Sequence, residues 1–330
     1  MNKRFLIWLL TILSLATGSS ADAQPAKKNY RIGYLSSADP ASDGPRYELH
    51  WAALRELGYI EGQNLAVERR YAEGKRERQA ELAAELVRLN VEVILLAGGD
   101  SVVRAAMSAT KTIPLVLTQG SDPVKAGFVQ SLAHPGGNVT GITDFSRELD
   151  GKRLELFKEA VPKLARIAFV HDPGAAGVTT SLKETIQVAA RSLKLVVEPW
   201  EIRDAAGLQK DLAGINKLRV DGIYAPAAGG FMNAHAKRIT DFALKSRLPT
   251  MVNPLRLVAD GGLMGYAADE GDRGRRVAYF IDRVLKGTRP ADLPVEQPMK
   301  FEFVINLKTA KQIGVNIAPE VLARATRVIR

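Results

Sequence analysis

The chain has 330 residues, 46% hydrophobic and 25% charged, which is enough apolar material for about two domains and too little charge bias for a disordered or fibrous protein. It has no cysteine, which excludes disulfides, thiolate metal sites and a Cys nucleophile. Its four histidines (His50, His134, His171, His235) never stand four apart, which argues against a zinc hydrolase. The formal charge is +10, but the basic residues are interspersed (Arg69-Arg70, Lys75-Arg76, Arg273 to Arg276), so they read as solvated helix faces and no nucleic-acid partner is expected.

Lys3 and Arg4 precede a mostly apolar run over residues 5–16, and Ala21-Asp22-Ala23 has the small-x-small pattern of a leader-peptidase site. This predicts a signal peptide over residues 1–23 and a periplasmic mature chain. A single membrane anchor is the alternative, but the uncharged stretch 5–21 falls short of the roughly 20 apolar residues a span needs. No later segment approaches that length, so the mature chain is not expected to be membrane-embedded.

Short apolar runs then alternate with amphipathic segments. Strand 31–35 leads through Ser36-Ser37 and a Pro/Gly loop to helix 46–57, which carries Leu49, Ala53, Leu54 and Leu57 on one face and stops at Gly58. Strand 65–71, helix 76–89, the continuous apolar strand 91–97, Gly98-Gly99, helix 101–109 and strand 115–118 follow. After the turn-rich 134–138 the pattern restarts, with strands at 139–142, 167–171, 195–200, 222–225, 250–252 and 263–266. Helices near 151–160, 181–193, 208–218 and 234–246 separate them. Helix 273–286, a Pro-rich crossing at 290–298, strand 301–305 and two short helical pieces complete the chain. The expected fold class is α/β, with two doubly wound parallel-sheet lobes.

Several stretches together carry a family resemblance: Ser121-Asp122-Pro123-Val124-Lys125-Ala126-Gly127, His134-Pro135-Gly136-Gly137-Asn138-Val139-Thr140-Gly141, Gly151-Lys152-Arg153-Leu154-Glu155-Leu156, Gly261-Gly262-Leu263-Met264 and Ile305-Asn306-Leu307-Lys308-Thr309-Ala310-Lys311. The chain from about residue 30 onward resembles ABC-transporter substrate-binding proteins of the TrpX-like type. The resemblance implies a type I periplasmic binding fold, in which three crossings join the lobes and a small solute lies between them. Characterised members of that family bind aromatic amino acids. On this pattern the lobes are expected at 29–141 with 265–296, and at 142–264 with 297–330, closing on a hinge.

In open parallel sheets a ligand lies beyond the carboxyl ends of the strands. That rule selects Ser36 and Ser37 after the first strand, Gly98, Gly99 and Asp100 after the third, and Gln119, Ser121 and Asp122 after the fourth. In the second half it selects His171 and Asp172, then Tyr224, then Asn253; Tyr224, Tyr266 and Phe231 are candidate covers for an apolar side chain. Each also has a plainer reading. Gly98-Gly99 makes a tight turn, Asp100 is an N-cap, Asp122-Pro123 starts a turn, His171 is a solvated loop residue, and the tyrosines are core aromatics. Asn138 fits a glycosylation pattern but reads as a turn residue, and Asp144 and Glu148 as surface charges.

No P-loop, HExxH, GxSxG or EF-hand pattern occurs, and no carboxylate pair stands beside a histidine or nucleophile at a catalytic spacing. The reading is therefore a monomeric, non-enzymatic solute-binding protein without cofactor, served by a separate permease and ATPase. An exported α/β enzyme acting on a small polar metabolite is the alternative. The amides and hydroxyls at Ser36-Ser37, Gly98-Gly99 and Ser121 favour a carboxylate-bearing solute, an amino acid or a related aromatic or branched acid, with Asp122 or Asp172 pairing an ammonium.

Overall fold

A computed structural model describes residues 28–119, 122–143, 148–173, 182–226 and 230–330. The first sheet contains β1 (Tyr30–Ser36), β2 (Leu65–Tyr71), β3 (Val93–Ala97), β4 (Leu115–Leu117) and β5 (Val139–Gly141), in the order β2-β1-β3-β4-β5 and parallel throughout. Its helices are α1 (Pro40–Glu56), α2 (Arg78–Arg88) and α3 (Asp100–Ala109). Every residue of β3 is buried, as a strand covered on both faces requires. One face packs Tyr34, Leu95 and Val116 under α1, and the other packs Ile94 and Leu96 against Leu86 of α2 and Val103 of α3.

α1 begins six residues before the expected helix 46–57, because Asp39 accepts a hydrogen bond from the Ala41 amide at 3.0 Å and Pro40 supplies a helical φ at the start.

The second sheet contains β6 (Arg166–His171), β7 (Val196–Glu201), β8 (Gly222–Ala225), β9 (Thr250–Val252), β10 (Met264–Ala268), β11 (Phe301–Asn306) and β12 (Arg327–Ile329), in the order β12-β11-β10-β9-β8-β6-β7. Its pairs are parallel except β10 with β11. Around it lie α4 (Glu148–Ala160), a π-type turn (Leu182–Ile186) leading into α5 (Gln187–Ser192), and α6 (Leu208–Ile215). α7 (Gly230–Lys245), α8 (Arg256–Ala259), α10 (Leu307–Ile313) and α11 (Pro319–Arg324) complete this layer. The α/β reading with two mostly parallel sheets therefore holds. β12 replaces the helical ending expected at 329: Thr326 pairs with Phe303 through N–H···O bonds in both directions and starts a parallel edge.

The chain passes between the sheets three times. Beyond β5, Ile142 forms a bridge with Glu296. The passage expected between Met264 and Gly265 falls inside β10, which is held in the second sheet along its length by β11 and therefore delays the passage until after Ala268. α9 (Glu270–Leu285) then returns to lie on α1, so close that a Cβ on Gly274 would stand 2.9 Å from the Leu49 carbonyl oxygen. The third passage runs along β5, where the Glu296 amide donates to Gly141 and the Thr143 amide donates to Glu296, both at 2.9 Å.

Candidate ligand-binding site

The carboxyl ends of the two sheets face one another. Arg76, beyond β2, stands 3.8 Å from Asp172, beyond β6, and Lys125 stands 3.7 Å from Glu184 on the π-type turn. His235 on α7 feels Asp39 from the turn before α1: burial and Arg238 push its pKa down, and Asp39 draws it back up. These contacts join segments of the first lobe to segments of the second and delimit a cleft.

On the first-lobe side the backbone at Ser36-Ser37 is already occupied. The Ser37 amide donates to Ala97, the Ser37 carbonyl accepts from Gly74 at 2.8 Å, and the fully buried Ser36 hydroxyl accepts from Ala38 at 3.1 Å. This corrects the expectation that these amides serve an anion. They fix β1 to β3 and to the turn after β2. Gly98 is required by packing, since a Cβ there would meet Val102 at 2.6 Å and the Ser37 hydroxyl at 2.9 Å. Gly99 differs. It is exposed, it caps α3, and an added Cβ would meet nothing within 4 Å. Asp100 heads that helix. Gln119 is half-buried just beyond β4, and Ser121 lies outside the described residues. Asp122 accepts from the Lys125 amide at 3.0 Å, so its carboxylate holds the following turn, which favours the plainer reading of Asp122-Pro123.

On the second-lobe side Tyr224 is corrected most clearly. It is fully buried in the layer between the sheet and α4, and its hydroxyl donates to Asp150. Asp150 also takes Arg153 Nη1 at 3.0 Å, while Arg153 Nε donates to the Tyr266 carbonyl at 2.8 Å. Burial and the Asp150 charge raise the Tyr224 pKa well above that of an ordinary phenol, so the ring stays a neutral core donor. Tyr266 is half-buried, stacked on Phe301 at 5.8 Å and edge-on to Phe303, so its ring belongs to the β10–β11 surface. Asn253 follows β9 and reaches the Ala225 carbonyl through its backbone amide at 3.4 Å. His171, the last residue of β6, is 5% exposed and stacked on Phe169.

Of the residues that delimit the cleft the sequence singled out only Asp172, and Arg76, Lys125, Glu184, Asp39 and His235 went unselected. For His235 a signal was present: a helix following β8 starts at the crevice, and Phe231 and His235, four apart, pack edge-to-face at 4.8 Å on its first turns. For Arg76, one basic residue in a charged loop, none was.

The comparisons with known proteins agree with this architecture. The family model described as ABC transporter substrate binding protein matches residues 48–329. A tyrosine-binding protein of Clostridioides difficile (strain R20291) is 26% identical over 309 residues, covering 92% of this chain and 88% of that protein. Among solved structures, an ABC domain in complex with L-Trp from Streptococcus pneumonia superimposes with a TM-score of 0.82 at 26% identity, covering 92% of this chain and all of the other. A conserved domain protein from Vibrio cholerae gives 0.82 at 30% identity, with 91% of this chain and all of that one covered. With the motifs, the two apposed sheets and a family match over most of its length, the chain belongs to the ABC transporter substrate-binding proteins, of the TrpX-like type.

Proposed function

We propose that this protein is the exported solute-binding component of an ABC import system, holding an aromatic L-amino acid between its lobes without transforming it. The observation that carries the reading is the apposition of the two carboxyl edges, tied by Arg76–Asp172 and Lys125–Glu184, around the open start of α3 at Gly99. A helix start favours a carboxylate by about 0.3–1 kcal/mol. Phe231 and His235 pair edge-to-face on the first turns of α7, and the relatives that bind L-Trp and tyrosine supply the solute class.

The lobes divide at the passages, one comprising residues 28–141 and 270–296 and the other 142–268 and 297–330, and they bend about those passages when solute enters. The leader 1–23 directs export, and the mature chain acts as a monomer without cofactor. Among the described residues no helix is long and apolar enough to cross a membrane, and the sequence has no P-loop, so translocation and ATP hydrolysis fall to a permease and an ATPase.

Thermal unfolding against L-tryptophan, L-tyrosine, L-leucine and neutral sugars tests this. The aromatic amino acids are expected to raise the melting temperature, with about 2.7 kcal/mol of stabilisation at 100 times the dissociation constant. A shift with sugars alone overturns the solute class, and chemical conversion of a bound solute overturns the non-enzymatic reading.

A further inference from the structure

His171 ends β6 on the edge of the second sheet that faces the first lobe, and its neighbour Asp172 reaches Arg76 across the cleft at 3.8 Å. The imidazole is 5% exposed and lies on Phe169 with ring centroids 5.1 Å apart and planes 25° from parallel. By distance and angle neither Nδ1 nor Nε2 has a hydrogen-bond partner, and the nearby Asp172 backbone acts on the ring without completing such a bond. A buried polar group in that condition is destabilising, and a phenylalanine would make the same stack without the penalty. A polar ring at a strand end in the cleft is explained by a partner that arrives with the solute.

We propose that a ring nitrogen of His171 accepts a hydrogen bond from the ammonium group of the bound amino acid and so sets the amino end of the solute against the second lobe. This rests on the amino-acid reading above. The charges nearest the ring are carboxylates: Asp172 beside it and Glu201, its register partner on β7. Their cationic partners stand further out, with Arg76 55% and Arg203 74% exposed. On the other elements packed against β6, Tyr224 and Asp150 are bound up with Arg153, and Glu184 on the π-type turn pairs with Lys125, with Lys183 beside it. Burial pushes the imidazole pKa down, offset in part by the adjacent Asp172 backbone and the two carboxylates. The ring is therefore neutral at pH 7 and has one acceptor nitrogen. Such an acceptor, with carboxylates as its closest charges, suits an ammonium better than a second carboxylate.

His171→Phe keeps the stack and removes both nitrogens. The probes are L-tryptophan and indole-3-propionate, which has the same skeleton without the ammonium, each titrated calorimetrically. Hydrogen bonds to charged groups imply that the variant loses about tenfold or more in affinity for L-tryptophan, and changes less than about threefold for indole-3-propionate. His171→Gln, which restores an acceptor, is expected to recover part of the L-tryptophan affinity. The unliganded melting temperature reports folding; if the Phe variant does not fold, the same ratio read from His171→Leu decides. Equal losses for both probes, or unchanged L-tryptophan affinity, overturn this proposal alone. A wild-type protein that binds no amino acid overturns it together with the solute class.

Discussion

Arg153 carries its charge wholly inside the second lobe, 1% exposed, between the Asp150 carboxylate and the Tyr266 carbonyl, with the Tyr224 hydroxyl on the same carboxylate. Burial alone would lower its pKa; Tyr224 and Asp150 raise it and keep the guanidinium charged. Removing Asp150 leaves a buried cation without its counter-ion, so Asp150→Ala is expected to cost about 3–5 kcal/mol. Tyr224→Phe leaves the ion pair standing and should cost about 0.5–1.5 kcal/mol. Urea unfolding of both variants checks the ordering. The sequence placed Tyr224 correctly at a strand end, but the strand-end rule does not say whether a ring points along the strand or down onto a helix. Here the answer lies in Asp150, 74 positions away. The amide of Ser37 was illegible for the same reason, since its partner Ala97 lies on β3, which only the fold brings alongside, whereas the Ser36 hydroxyl bonds locally to the Ala38 amide.

Between helices a close contact is Gly274 of α9 against the backbone of Leu49 on α1. An added methyl meets carbonyl atoms at 2.9 and 3.1 Å, which are backbone and cannot rotate away. Gly274→Ala is therefore expected to destabilise by about 1–3 kcal/mol through overpacking, reduced by the roughly 1 kcal/mol gain in helix propensity. A higher urea midpoint would show that the two helices can separate freely. Elements were largely legible because apolar runs such as Val93–Ala97 and the glycines that end them are local signals. Their limits were less so. α1 starts early through a side-chain cap at Asp39, and β10 runs to Ala268 because its antiparallel partner β11 lies far along the chain.

At the scale of the molecule, the two lobes touch through charged side chains that are mostly exposed, Arg76 at 55%, Lys125 at 61% and Glu184 at 64%, with only Asp172 largely covered. Pairs of this kind contribute about 0.2–1 kcal/mol each, so Arg76→Ala should weaken solute affinity by no more than about fivefold. Small-angle scattering of the unliganded variant should show a larger radius of gyration than the wild type. Equal radii would mean that these charges do not hold the lobes together.

The same contacts have a consequence for the surrounding medium. Electrostatic attraction between exposed charges fades as dissolved ions gather, with a screening length of about 10 Å at 0.1 M and about 3 Å at 1 M. The apolar packing on either face of each sheet is not weakened in this way. Raising sodium chloride should therefore loosen the grip between the lobes while leaving each lobe folded, so that salt acts on the solute's residence time before it acts on the melting temperature.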